Sequence, residues 1–274
     1  GRTMGALSVT PNAKYQAPFL PLVGDVRVGT LNDMAQLESL VTEDVAGVIV
    51  EPIQGEAGII VPDDDYFPKV QAACKKHNVL LICDEIQTGL GRTGRMLCCE
   101  HYGVRPDIVT LGKALSAGVY PVSAVLADKD IMLCIRPGEH GSTYGGNPLG
   151  SAVAITALDV IVSDKLAERA EHLGQVFRHV LSECKNPLLT EVRGKGLLNA
   201  IVIDETKSLK KRTAWDLCLL LKDKGVLAKP THQNIIRLAP PLVITQEELG
   251  HGLRAIFEAL EELDSVDVIP GTDR

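Results

Sequence analysis

Three short runs of β-branched and other apolar residues, each closing on a polar residue, constrain the fold of this chain more than any other feature. Val45-Ala-Gly-Val-Ile-Val50 runs into Glu51, Val79 to Cys83 runs into Asp84-Glu85, and Ile108-Val-Thr-Leu111 stops just before Gly112-Lys113. Runs this short and this apolar are the pattern of strands buried inside a sheet. Between the first two, the stretch from Tyr66 to His77 places Phe67, Val70, Ala73 and Cys74 at helical spacing. Strands alternating with helices imply a mostly parallel sheet covered on both faces, which makes this an α/β domain. A further apolar run, Val122 to Leu126, has its polar stop at Asp128.

After Pro148 the texture changes. Helical patterns run from about Leu149 to Val162 and from about Asp164 to Cys184. Strand candidates at Leu197–Ile203, Val226–Lys229 and Ile235–Leu238 then interleave with helices near Ala214–Lys224 and Gln246–Leu263. This predicts a large domain over residues 1–164 and a smaller C-terminal α+β domain over 165–274, with the hinge near Asp164. Pro11 to Pro21 reads as an irregular surface segment.

Composition narrows the function classes. Lys and Arg number 28 against 35 Asp and Glu, and 45% of residues are hydrophobic. The chain therefore carries enough apolar material for genuine cores and too little net charge for disorder. Its acidic balance argues against nucleic acid as a partner. The longest nearly apolar stretch, Ala152 to Val162, is interrupted by Thr156 and Asp159 and falls far short of the ~20 residues a bilayer demands, so no membrane partner is expected. The seven cysteines show no CxxC pairing and read as free, buried thiols of a reducing compartment. No metal site is expected. Gly1-Arg2-Thr3-Met4 opens without a secretory or transit pattern, and the expected location is intracellular, in cytoplasm or mitochondrial matrix.

Glu51, Asp84 and Lys113 all stand at the C-terminal ends of predicted strands, the edge where open α/β sheets bind ligands. A carboxylate leaving a dry sheet interior, as Asp84 does, is costly unless it meets a cation. A protonated pyridine nitrogen would serve; a helix N-cap is the plainer alternative. Lys113 sits among Gly112, Ala114, Ser116, Ala117 and Gly118, which leave room for a planar ring. Partial desolvation there would favour a neutral amine able to form a Schiff base. Standing alone it would read as a surface lysine. His140-Gly-Ser-Thr-Tyr-Gly-Gly-Asn-Pro148 offers the Ser142 and Thr143 hydroxyls in a glycine-rich loop entering a helix, which suits a phosphate or is simply a turn.

Together, Asp84-Glu85-x-Gln87-x-Gly89, Gly91-Arg92-Thr93-Gly94, Lys113 and His140 to Pro148 resemble the class III, or ω-type, aminotransferases, pyridoxal-phosphate enzymes of fold type I. Within that family, Val50 to Gly58, Val192 to Ala200, Leu227 to His232 and Ile235 to Leu242 are most similar to the branch that uses ornithine.

The resemblance implies roles. Lys113 would hold pyridoxal phosphate covalently and later shuttle a proton. Asp84 would pair with the pyridinium nitrogen, Gln87 would bond the ring's phenolic oxygen, and Ser142 and Thr143 would take the phosphate. Thr143 reaching a neighbouring subunit's cofactor would imply a homodimer. Arg2 would hold the α-carboxylate of ornithine, and Glu56 would mask Arg237 until 2-oxoglutarate arrives. Acetylornithine or 4-aminobutyrate are alternative substrates, and a non-catalytic dimerisation module is an alternative role. Family members are longer, and in them a glycine-rich phosphate loop and a ring-stacking aromatic precede the position of Arg2. The chain as it stands is therefore expected to bind pyridoxal phosphate weakly or not at all.

Overall fold

The computed structural model describes residues 1–269 and 271. It contains two four-stranded sheets. The first holds β1 (Gly47–Val50), β2 (Leu80–Asp84), β3 (Ile108–Leu111) and β4 (Ala124–Ala127), side by side in that order. β1, β2 and β3 are parallel, with Val50 opposite Cys83 and Asp84 opposite Thr110. That register brings Glu51, Asp84 and Lys113 out at one edge. β4 runs antiparallel to β3.

The helix Tyr66–Lys76 crosses from β1 to β2 and buries Tyr66, Phe67, Val70 and Cys74 against the sheet. Phe67 stacks on Tyr102 with ring centroids 5.1 Å apart and meets Tyr66 edge-on at 5.8 Å. The helix Pro148–Ser163 starts on an Asn147 cap and lays Ile161 against Leu111 and Leu115. After Lys165, in left-handed backbone geometry, the chain enters the helix Leu166–Ser182.

The second sheet is antiparallel throughout, in the order β5 (Leu189–Lys195), β6 (Leu198–Ile203), β8 (Ile235–Leu238) and β7 (Lys229–Thr231). Leu173, Phe177 and Leu181 of the 166–182 helix, Leu217 and Leu221 of the helix Ala214–Asp223, and Ile256 and Leu260 of the helix Gln246–Glu262 bury Ile201, Ile203 and Ile236. The last two helices begin at reciprocal capping boxes, Thr213 with Asp216 and Thr245 with Glu248, which satisfy backbone donors that would otherwise be orphaned. The sheets are not independent. Leu198 and Ala200 of β6 are buried in the same core as Phe67 and Leu81. The α/β class and the strands ending at Asp84 and before Lys113 agree with the sequence pattern.

Four expectations are corrected. β5 was not anticipated: Leu-Thr-Glu-Val-Arg-Gly-Lys has little strand propensity, and pairing with the apolar β6 makes it a strand. The strand expected at Val226–Lys229 is Lys229–Thr231, since it forms only where it can pair with β8. The segment from Pro11 to Pro21 holds the short helix Ala13–Gln16 and a 3₁₀ turn at Ala17–Phe19. Finally, the first sheet is not covered uniformly: Ile49, Val125 and Leu126 are exposed.

All seven cysteines are free thiols, five of them buried. Burial pushes Cys74 up to about 11 and Cys218 to about 12, so neither is a thiolate at neutral pH. Among the described residues no helix is long and apolar enough to cross a membrane.

Candidate active site

Asp84 is the last residue of β2, and its carboxylate is held from one side. Its Oδ1 accepts from the Ile86 amide at 3.0 Å and from the Thr110 hydroxyl, on the adjacent strand, at 3.2 Å. Among the described residues no donor reaches Oδ2, which leaves that oxygen for a ligand cation. The turn that follows is anchored by Glu85, a carboxylate only 1% exposed. Its Oε1 accepts from the Cys99 amide at 2.8 Å and its Oε2 from the Thr88 hydroxyl at 2.5 Å. The Glu85 amide donates to the Thr110 carbonyl at 3.0 Å. Sequence reasoning gave Glu85 no role; the turn that carries Asp84 and Gln87 depends on it.

Lys113 follows the extended Gly112 and opens the 3₁₀ turn Lys113–Ser116 with φ +41°. A lysine in the left-handed region is strained, and it persists here because Leu115 and Ser116 are buried behind it. Its side chain is exposed to a cleft of about 1100 Å³, also lined by Gln87, Glu56, Arg92, Arg237, Ile86 and Val122. Among the described residues no carboxylate pairs with the Lys113 amine.

Across the cleft, Arg237 of β8 donates from Nη1 to Glu56 Oε1 at 2.6 Å. Gln87 Nε2 donates to the same oxygen at 3.4 Å. The Arg237 guanidinium holds the Glu56 carboxyl below its ordinary range, chiefly by that hydrogen bond. Arg237 Nε is buried with no partner among the described residues. Glu51 sits just past β1, where burial pushes its carboxyl upward and the charges of Asp84 and Lys113 bear on it in opposite senses.

This arrangement has named counterparts. The family model described as aminotransferase class-III matches residues 1–260. The chain belongs to the class-III aminotransferases. It is 56% identical to an ornithine aminotransferase of Emericella nidulans over 277 residues, covering 97% of this chain and 61% of that protein. A solved ornithine aminotransferase of Toxoplasma gondii superposes with a TM-score of 0.92 at 43% identity, over 97% of this chain and 62% of the other. A solved acetylornithine aminotransferase of Elizabethkingia anophelis is 54% identical with a TM-score of 0.81, over 86% of this chain and 60% of the other. The chain thus spans 56–66% of the length of these curated ornithine aminotransferases.

In this class-III aminotransferase the expected site residues do not all converge. Lys113, Gln87, Glu56 and Arg237 share one cleft, with Asp84 at the adjoining strand end. Arg2 does not line it: its guanidinium lies over the Tyr15 ring, 4.1 Å from the centroid. Ser142 and Thr143 also lie outside the cleft wall, on an exposed segment where Ser142 Oγ accepts from the Gly145 amide at 2.9 Å. Arg92, in the Gly91-Arg-Thr-Gly94 motif, also lines the cleft, a role its sequence context does not disclose. Its Nη1 donates to the carbonyls of Leu197 at 3.0 Å and Pro240 at 2.6 Å, tying the cleft to the second sheet. Burial lowers its pKa to about 10, which still leaves it cationic at neutral pH. The motif Gly-Arg-Thr-Gly was its signal; its distant carbonyl partners were not visible in the sequence.

Proposed function

We propose that this class-III aminotransferase moves the δ-amino group of L-ornithine to 2-oxoglutarate, yielding glutamate-5-semialdehyde and glutamate in two half-reactions, with pyridoxal phosphate as cofactor. The observation that carries the reading is the Glu56–Arg237 pair facing Lys113 across one cleft. The residues fit the cofactor's ring: among the described residues Asp84 Oδ2 has no donor and the Lys113 amine no carboxylate partner, and Ile86 and Val122 give the cleft apolar wall. When bound, the cofactor supplies an electron sink for the reacting carbon of the substrate.

The chain's own groups do the rest. Lys113 Nζ would hold the cofactor, and as a free amine it would take the proton from the reacting carbon of the substrate and give it back later in the half-reaction. Asp84 Oδ2 would pair with the ring nitrogen and keep it protonated, with Thr110 and the Ile86 amide fixing the carboxylate's orientation. The Gln87 amide would donate to the ring's phenolic oxygen. During the first half-reaction Glu56 covers Arg237, so the terminal amine reacts; for Arg2 to take the α-carboxylate it would have to leave the Tyr15 ring and turn into the cleft. During the second, the α-carboxylate of 2-oxoglutarate displaces Glu56 and makes a bidentate pair with Arg237.

The same reading makes residues 1–164 the cofactor-binding domain and 165–274 the small domain. It also makes the protein an intracellular homodimer, of cytoplasm or mitochondrial matrix, in which Ser142 and Thr143 serve phosphate and Thr143 reaches the neighbouring copy. The identity to the acetylornithine aminotransferase structure favours a second reading, with an N-acetylated substrate.

The test uses the longest natural polypeptide that carries this sequence, saturated with pyridoxal phosphate. A visible band is expected that is lost on adding ornithine and restored by 2-oxoglutarate. Borohydride reduction should fix the cofactor to Lys113, read by peptide mass. Attachment at another lysine overturns the reading, and a response to N-acetylornithine without one to ornithine selects the second.

A further inference from the structure

Glu56 can alternate between covering and releasing Arg237 only if its backbone holds still while its side chain swings. The backbone here is tied at both ends. Gln54 and Ile60 exchange amide–carbonyl bonds of 3.1 and 3.0 Å, and the amides of Gly58 and Ile59 donate to the Gly55 carbonyl at 3.1 and 3.3 Å. From the second sheet, Arg193 donates to the Gly58 carbonyl at 2.8 Å and the Ile59 carbonyl at 3.0 Å, and the Thr231 hydroxyl donates to the Glu56 carbonyl at 3.1 Å. These bonds secure the far side of the turn. On the near side, the Gly55 amide donates to Glu51 Oε2 at 2.9 Å.

Gly55 has no slack. A Cβ placed there would lie 2.4 Å from the Gln87 side chain, so the backbone packs directly on the residue that also bonds Glu56. Any displacement of Gly55 is passed to Gln87 and Glu56 together. We propose that Glu51 is the positioning residue of this substrate-selecting switch: by holding the Gly55 amide it keeps Glu56 and Gln87 in the arrangement that masks Arg237. The proposal rests on the reading of Glu56–Arg237 as a switch. What the place requires of Glu51 is an acceptor oxygen, and burial disfavours its charge. A glutamine therefore keeps the function and an alanine does not.

The experiment compares Glu51→Ala and Glu51→Gln with the unsubstituted protein in three readouts. Amide hydrogen exchange over residues 53–59, followed without cofactor, is expected to be at least tenfold faster in Glu51→Ala and within twofold of the parent in Glu51→Gln. The affinity for 2-oxoglutarate is expected to rise severalfold in Glu51→Ala alone. In the loaded enzyme, the ratio of the ornithine to the glutamate half-reaction rate is expected to fall tenfold in Glu51→Ala and to recover in Glu51→Gln. Unchanged exchange, an equal loss in both half-reactions, or Glu51→Gln failing with Glu51→Ala would each overturn the proposal. Absence of both half-reactions in the unsubstituted protein would refute the aminotransferase assignment, while the exchange readout still decides whether Glu51 anchors the turn.

Discussion

Removing the mask from Arg237 by Glu56→Ala is expected to tighten dicarboxylate binding. The Arg237–Glu56 bond is short, 2.6 Å, but the Glu56 side chain is 76% exposed against 25% for Arg237. Solvent screening at that exposure sets the pair at ~1 kcal/mol, well below a fully desolvated charge-assisted bond. An incoming carboxylate must first break this pair, so its loss should improve the affinity for 2-oxoglutarate by roughly fivefold. The substitution removes little packing because the side chain faces the cleft. Calorimetric titration at pH 7 measures it directly, and the gain should disappear when Arg237→Lys is added, since an ammonium cannot reproduce the bidentate fork.

The pH dependence has a defined sign. The hydrogen bond from Arg237 lowers the Glu56 pKa from 4.5, so masking is complete above that value and is lost as pH falls through the lowered pKa. The parent should therefore approach the variant's affinity only in that acid range, and the difference should be flat between pH 6 and 8. Unchanged or weaker 2-oxoglutarate binding by Glu56→Ala at pH 7 would refute the masking argument.

Three further outcomes are expected. Phe67→Ala removes a fully buried ring stacked on Tyr102 and should cost about 3–5 kcal/mol in denaturant unfolding. Gly174→Ala would put a Cβ 1.9 Å from the Gly196 carbonyl oxygen, forcing the 166–182 helix off the β5–β6 turn; a loss of about 3 kcal/mol, read as a fall in denaturation midpoint, is expected. Thr110→Val deletes the hydroxyl bonded to Asp84 Oδ1 while keeping the shape, and should weaken pyridoxal-phosphate binding about fivefold, an effect of ~1 kcal/mol, with Thr110→Ser restoring it in a spectroscopic titration.

Much of the chemistry was legible because it lies at the ends of strands whose pattern is local. Asp84 and Lys113 each terminate an apolar run, and parallel pairing brings such ends to one edge. Glu85 was not legible, because a glutamate beside an aspartate looks like a solvated turn until Cys99 and Thr88 close on it. β5 was missed for a related reason. Its sequence has the composition of a loop, and its strand conformation comes from the partner strand.

What the sequence by itself determined is the α/β class, the positions of β2 and β3, and the residue types at the ligand edge. All of these follow from hydrophobic periodicity and from the cost of burying charge. Only the tertiary structure decided that Glu56 meets Arg237, 181 residues away, and that Arg92 bonds carbonyls more than a hundred residues further on. It also decided that Arg2, Ser142 and Thr143 stand apart from the cleft around Lys113. Such outcomes depend on how two sheets pack through Leu198, Ala200 and Arg193, and packing between distant segments leaves no periodic trace in either of them.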